Sequence, residues 1–470
     1  MIADRHHYDL VVLGSGPAGQ KAAIQGAKAG RAVLVVEQDR DVGGACVHHG
    51  TIPSKTLRET AVSMRRRRAS TALDIHLDDH TRVDAMMGRL NEVISAHERY
   101  IADQLRRNGV DRWVGRARFI DAHTLEIRGP NGGVKLAAGD HIVVATGSRP
   151  RAPEQVAVDH EHVLDSDSIL SMNYLPESLI VLGGGVIACE YASIFAALGV
   201  KVTLVDKSDR PLTFMDSELT DRFVQALGEM GGSYLGNQAI QSVAWDGVSA
   251  VVVTLASGIS LRSDKVLCAL GRLANLESLD VEKAGLSRSA RGYIDVDAHC
   301  RTAVPHIYAV GDVIGPPALA SSAMEQGRRA VRHALGLPAP RELDIIPTGI
   351  FTLPEMASIG LDERGARTKL GGVMVGRAKF CELARGQIAG SDEGFMKLIA
   401  DPEGHRILGV QIIGDGAAEL IHVGQMAMIG GVSVDGFIDN VFNFPTLAEA
   451  YRVAALDIAR QRLGVAQDAA

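Results

Sequence analysis

The sequence predicts an α/β protein: two Rossmann-like units followed by a C-terminal α+β segment. Three observations carry that expectation. A strand, glycine turn, helix, strand and acid follow one another from Asp9, the same order returns from Leu179, and after about Ile345 shorter strands mix with helices. A chain of 470 residues has room for about three units of roughly 150 residues each. Its balance of 46% apolar and 22% charged residues is that of a globular protein, and its 51 glycines gather at strand ends.

In the first unit, Asp9 to Leu13 reads as a buried parallel strand, and Gly14-Ser15-Gly16-Pro17-Ala18-Gly19 leads into an alanine-rich helix ending near Ala29. Ala32 to Val36 is the next strand, closed by Glu37. A tight turn alone would explain three glycines. Strand, helix, strand and acid together favour a dinucleotide site: Gly14, Gly16 and Gly19 let a pyrophosphate approach the helix N-terminus, and Glu37 accepts from a ribose hydroxyl. In the second unit Leu179 to Leu182 is the strand, Gly183 to Ala188 the turn, Glu190 to Leu198 the helix and Lys201 to Val205 the next strand, closed by Asp206. From Gly14 to Glu37 and from Gly183 to Asp206 the interval is the same 23 residues. Two dinucleotides are therefore expected, with Gly183 and Gly185 serving the second.

Between the units, Lys55 to Arg68 and Arg82 to Arg107 read as helices. In the latter Val83, Met86, Met87, Leu90, Val93, Ile94, Ile101 and Leu105 fall near a 3.6-residue period and form a core-facing stripe. Short strands flank the turn Gly129 to Gly133, and His141 to Ala145 is a strand ending in Thr146-Gly147, where Gly147 marks either close approach to a ligand or a plain turn. Ala250 to Leu255 and Lys265 to Leu270 are strands, with Gly271 at the exit of the second. Asp312 stands where it could cap a helix from Ala320 to Leu335.

The formal charge of -7 gives no reason to expect nucleic acid or an anionic membrane as partner. The basic run Arg65 to Arg68 reads as a solvated helix face rather than a phosphate site. No apolar window is long enough to cross a bilayer, Met1 to Tyr8 is polar, and Cys46, Cys189, Cys268, Cys300 and Cys381 have no framework spacing, so a cytoplasmic protein without metal is expected.

Val42 to Lys55 reads Val-Gly-Gly-Ala-Cys-Val-His-His-Gly-Thr-Ile-Pro-Ser-Lys. It resembles the redox segment of the flavin disulfide reductases, such as lipoamide dehydrogenase and glutathione reductase. Thr302 to Asp312 and Phe351 to Gly360 resemble two further segments of that family. The resemblance covers nearly the whole chain up to Gly464. It implies a discontinuous FAD-binding domain (1–150 and 281–344), an NAD(P)-binding domain (151–280), a dimerisation domain (345–470), non-covalent FAD and a homodimer, with further stacking of dimers left open. It also implies that Gly43, Gly44, Cys46, Thr51, Thr146, Gly147 and Gly271 lie against cofactor and that Asp312 binds the flavin's ribityl chain.

Two departures from the family pattern matter. The family's second cysteine is Thr51, so no redox disulfide can form beside the flavin. Its proton-carrying histidine, in the segment here written Phe444-Pro445-Thr446-Leu447-Ala448-Glu449, is Phe444; Glu449 is left with a capping or pairing role. Cys46 is then either a packed relic or a sulfenate-forming thiol. Lys55 and Glu190 are in register with the pair that the family sets beside the flavin N5, and the resemblance implies that Lys55 stabilises charge there while Glu190 holds it; the plainer alternative is two exposed helix residues. Val186 replaces the tyrosine lid of many members. Asp206 favours NAD, whereas Ala188 in place of the third glycine, with Lys207 and Arg210 nearby, favours NADP.

The pattern most closely resembles the branch of soluble pyridine nucleotide transhydrogenases. It implies a ping-pong transfer of hydride between NADPH and NAD+ through FAD, with NAD(H) and NADP(H) as substrates. A lipoamide dehydrogenase-like reductase and a non-catalytic FAD-binding redox sensor are the alternatives.

Overall fold

The structure, a computed structural model, describes residues 5–70, 79–338, 345–391 and 393–468, and the side chains of all of these except 66–70, 79–86 and 465–468. Val83, Met86 and Arg66 to Arg68 of the expected stripe and basic run therefore lie outside the described side chains.

Apolar strands buried on both faces build a parallel sheet around Arg5–Leu13, which pairs with Val33–Glu37 on one side and Val134–Val144 on the other. The sheet runs on in parallel from Val33–Glu37 to Asp111–Val114, and continues antiparallel from Val134–Val144 through Thr124–Arg128 to Arg116–Phe119. Ile307–Ala309 returns from far along the chain to pair in parallel with the end of Val134–Val144. That return delivers Asp312 to the carboxyl edge of the sheet, where ligands of such folds bind. The helix Ala320–Ala334 then packs on Pro17–Lys28 so closely that a Cβ on Gly327 would stand 2.2 Å from the Ala18 carbonyl oxygen.

A second parallel sheet runs in the order Ser233–Leu235, Lys201–Val205, Ser178–Leu182, Lys265–Cys268, Val163–Asp165. A three-stranded antiparallel sheet, Ile240–Trp245, Val251–Leu255 and Ser260–Ser263, lies beside it. Ser148–Pro150 and Arg272–Ala274 pair where the chain passes between the two parallel sheets. The C-terminal part is an antiparallel sheet of five strands, ordered Thr348–Ile350, Met356–Gly360, Ile407–Ile413, Phe395–Ala400, Met374–Lys379, packed with the helices Ala417–Gly430 and Glu449–Asp468. Mixed α/β architecture with two Rossmann-type sheets is thus as expected.

Several boundaries differ from the sequence reading. The second turn's helix starts at Val186, not Glu190, because the residues after Gly185 already form its first turn. The strand expected at 141–145 is the end of the longer Val134–Val144. The short strand expected after Gly133 and the one expected at 141–145 are a single strand, because Arg5–Leu13 pairs along its length from Leu136 to Val144. Asp312 does not cap the helix from Ala320, whose N-cap is Leu319; it sits in the 3-10 turn Gly311–Ile314, too far upstream to reach that helix's first amides. In the long helix Asp79–Arg107, Leu90, Ile101 and Leu105 are buried, with Met87, Val93 and Ile94 partly so.

Candidate active site

A cavity of about 1990 Å³ spans both glycine turns. The first turn is shaped by what it excludes. Gly14 has φ +101°, donates to the Val36 carbonyl at 2.8 Å, and leaves no room for a Cβ, which would stand 2.4 Å from the Ala145 carbonyl oxygen. Gly16 is the N-cap of Pro17–Lys28 and offers no capping side chain, so the helix's first amides stay available to an anion at the cavity. Gly19 does not line the cavity; a Cβ there would meet the Gly14 carbonyl oxygen at 1.9 Å, so its part is to let helix and strand approach. Buried Glu37 accepts from Ser15 N–H and O–H at 2.8 and 2.6 Å through one oxygen and from Gln38 N–H at 2.8 Å through the other.

The second turn repeats the first. Gly183 has φ +109°, donates to the Val205 carbonyl at 2.8 Å, and a Cβ would lie 2.6 Å from the Ala269 carbonyl oxygen. Gly185 caps Val186–Ala197 without a side chain. Where the first unit has its third glycine this one has Ala188, fully buried. Asp206 and Lys207 line the cavity, and Arg210 does not.

Between the turns lies the segment of Cys46. Gly43 (φ +123°) packs against Val47 outside the cavity, and Gly44 (φ +59°) lines it, pressed on Gly16 so that a Cβ would stand 3.0 Å from the Gly16 Cα. Cys46 and Thr51 both line the cavity. Burial pushes the Cys46 thiol up, against the Thr51 hydroxyl bonded to it and the Lys55 charge, which pull it down. His48 also lines the cavity, with its ring nitrogen bonded to the Val42 carbonyl at 3.0 Å.

Lys55 and Glu190 are brought together. The ammonium reaches both Glu190 oxygens, at 2.8 and 2.6 Å, also donates to Ser54 Oγ, and lies 4.9 Å from the Phe351 ring centroid. Glu190, with its side chain only 5% exposed, also accepts from Phe351 N–H at 2.9 Å. Three separate segments, Thr51–Ser70, Val186–Ala197 and the strand that ends at Ile350, thus converge on one charge at the cavity wall.

Gly147 has φ +69° and open space around it, and Thr146 is tied to Asn275 by its hydroxyl at 2.7 Å and its carbonyl at 3.1 Å. Asp312 accepts from Ser148 Oγ at 2.5 Å, and Arg272, beside Gly271 (φ +106°), donates to Ser148 Oγ and to its carbonyl, each at 2.8 Å. Phe444 is 70% exposed and does not line the cavity, while Glu449 accepts from Thr446 N–H at 3.2 Å.

Sequence reasoning passed over Phe351, Asn275 and Arg272, whose roles depend on contacts far along the chain. It also missed Arg58 and Glu355. This buried pair, 3.2 Å apart, joins the Lys55 helix to the start of Ala417–Gly430, because Glu355 accepts from Ala418 N–H at 2.6 Å. Burial raises the Glu355 carboxyl.

Residues 8–327 match the family described as pyridine nucleotide-disulphide oxidoreductase, and residues 346–455 match its dimerisation domain. The chain is 44% identical over 454 residues to a protein of Mycobacterium tuberculosis (strain ATCC 25177 / H37Ra) named soluble pyridine nucleotide transhydrogenase, covering 96% of this chain and 97% of the other. A protein of the same name from Hahella chejuensis is 41% identical over 456 residues, with 96% and 98% covered. Among solved structures, LpdA from Mycobacterium tuberculosis aligns with a TM-score of 0.89 at 27% identity, covering 96% of this chain and 99% of that one. RclA from Escherichia coli, described as an HOCl-induced flavoprotein disulfide reductase, aligns with a TM-score of 0.87 at 27% identity and the same coverage.

Proposed function

Because the chain belongs to the pyridine nucleotide-disulphide oxidoreductase family, we propose that it is an NAD(P)+ transhydrogenase that moves hydride between NADPH and NAD+ through non-covalently held FAD, one nicotinamide leaving before the other enters. The observation that carries this reading is the pairing of Cys46 with Thr51 at the cavity wall, where a disulfide reductase needs a second sulfur. The names of the relatives point the same way.

The residues present fit FAD. Gly14 and Gly16 clear space for a pyrophosphate at an uncapped helix end, and Asp312, fixed by Ser148, stands at the same edge of the sheet. Bound there, FAD supplies the two-electron carrier that takes hydride from one nicotinamide and yields it to the next. The second turn, with Gly183, Gly185 and Asp206, offers a nicotinamide dinucleotide the same kind of seat. Val186, partly exposed on the cavity, is too small to stack as a lid, so entry and exit of nucleotides need no ring to swing aside. Lys55, clamped by Glu190, presents a fixed positive charge that lowers the cost of negative charge arising in the cavity. No proton carrier is required, since only hydride moves. We take the protein to be a cytoplasmic homodimer.

The test is reduction of a thionicotinamide analogue of NAD+ by NADPH with the purified protein, with lipoamide and glutathione disulfide as parallel substrates. Turnover of the nicotinamide pair alone is expected. Brisk disulfide reduction without it would return the chain to the lipoamide dehydrogenase kind, and retention of FAD with no turnover of either would favour a redox sensor.

A further inference from the structure

Beyond the second glycine turn the cavity wall is made by the end of the strand Lys201–Val205 and by the loop before Ile240–Trp245. Backbone bonds lock these two pieces together. Gln238 N–H donates to the Asp206 carbonyl at 2.9 Å, and Asn237 N–H and Tyr234 O–H both donate to the Ser208 carbonyl at 2.9 Å. Gln238 therefore stands beside Asp206 and Lys207 by construction, and all three line the cavity. Its side chain is oriented from outside: Gln238 Oε1 accepts from the Ser257 hydroxyl at 3.1 Å. The amide nitrogen has no acceptor among the described residues.

Asp206 is an acceptor. One of its oxygens takes the Ser208 N–H at 3.1 Å, which leaves the other for a ribose hydroxyl. A 2′-phosphate in that place would be repelled by the carboxylate and needs donors nearby to offset it. Arg210, expected from the sequence to serve, does not line the cavity, so Lys207 is left with whatever neutral donor the wall provides.

We propose that Gln238 is that donor and a specificity-determining residue of the nicotinamide site. Its NH2 group, aimed by Ser257, binds the 2′-phosphate of NADP(H) together with Lys207, while the 2′-hydroxyl of NAD(H) is taken by Asp206 and leaves Gln238 unused. One acceptor and one cation-plus-amide pair at the same rim let a single pocket accept both cofactors. The inference rests on the reading that both share this site. It adds which side chain tells them apart.

The test needs no hydride transfer. The FAD-loaded protein is titrated calorimetrically with ADP-ribose and with 2′-phospho-ADP-ribose, the halves of the two cofactors that lack nicotinamide. Gln238→Ala is expected to weaken the phosphorylated probe about tenfold and to leave ADP-ribose within about twofold, the loss of one hydrogen bond to a charged group. Gln238→Glu should weaken the phosphorylated probe further and again spare ADP-ribose, and Ser257→Ala should reproduce part of the Gln238→Ala loss. Equal weakening of both probes, or of neither, overturns the proposal. Wild-type protein that binds neither probe overturns it together with the proposed function. Wild-type protein that binds both probes with the predicted Gln238 effect, yet does not turn over the nicotinamide pair, breaks the proposed function alone.

Discussion

Lys55 and Cys46 lie in one segment and face one cavity, yet their surroundings assign them different weights. Lys55 is held by both oxygens of a buried carboxylate, so its charge costs little reorganisation when negative charge develops nearby. Lys55→Met should slow reduction of bound FAD by NADPH about a hundredfold, the scale of losing one preorganised electrostatic partner, and stopped-flow bleaching of the flavin checks it. Glu190→Gln, which keeps the shape and loses the clamp, should show an intermediate rate. Cys46 is half-buried and its thiol is pushed up by that burial, opposed by Thr51 and Lys55. The thiolate needed for sulfenate chemistry is therefore scarce at neutral pH. Cys46→Ser should keep transhydrogenation within about twofold, and in a Cys381→Ser background alkylation of Cys46 should lag behind that of a free thiol. The partnership of Lys55 and Glu190 could be anticipated because both sit in recognisable motifs. The Phe351 amide that completes it could not, since nothing local to Phe351 marks it as a neighbour of either.

Among the elements, the two glycine turns were the most legible, because Gly14, Gly19 and Gly183 each stand where a Cβ would strike a carbonyl oxygen, while Gly16 and Gly185 leave open space at the uncapped helix ends. Ala188 shows the limit of that rule: in the second unit the third position accepts a methyl group, fully buried. The joints between elements were not legible. Lys397, 1% exposed, bonds Asp216 at the N-cap of the helix Ser217–Glu229, and also Glu218 and Glu363, while Arg377 adds bonds to the last two. A lysine in the middle of the strand Phe395–Ala400 reads locally as a solvated face; only the packing of that helix on the C-terminal sheet reveals its partners. Lys397→Met leaves buried Asp216 without its ammonium, with Glu218 and Glu363 still held by Arg377, and should cost about 3 kcal/mol in urea unfolding. The same cluster sets an acid limit. Glu218 is lowered from 4.5 to about 2, chiefly by its bond to Arg377, so its contribution is complete above the ordinary carboxylate value and is lost as pH falls toward 2. Between pH 5 and pH 3 the urea midpoint should therefore fall more in the wild type than in Glu218→Gln.

At the scale of the whole molecule, the chain leaves apolar side chains exposed on its C-terminal part: Met426, Ile429, Val441, Phe444, Leu456 and Leu463. They lie on or near the helices Ala417–Gly430 and Glu449–Asp468, within or just past the region that matches the dimerisation domain. Val441→Asp combined with Met426→Asp should shift sedimentation from dimer toward monomer. Phe444 belongs to this exposed face and carries no ionisable group. Phe444 thus offers no proton carrier, as Thr51 at the cavity wall offers no second sulfur. The account depends on electrons having nowhere in the polypeptide to rest, and counting them is the most direct test. In an anaerobic titration of the purified holoenzyme with dithionite or NADPH, two electrons per bound FAD should complete the reduction, with no thiol becoming newly available to a disulfide reagent. Uptake of four electrons per FAD, accompanied by new thiols, would show a working protein disulfide and contradict the account.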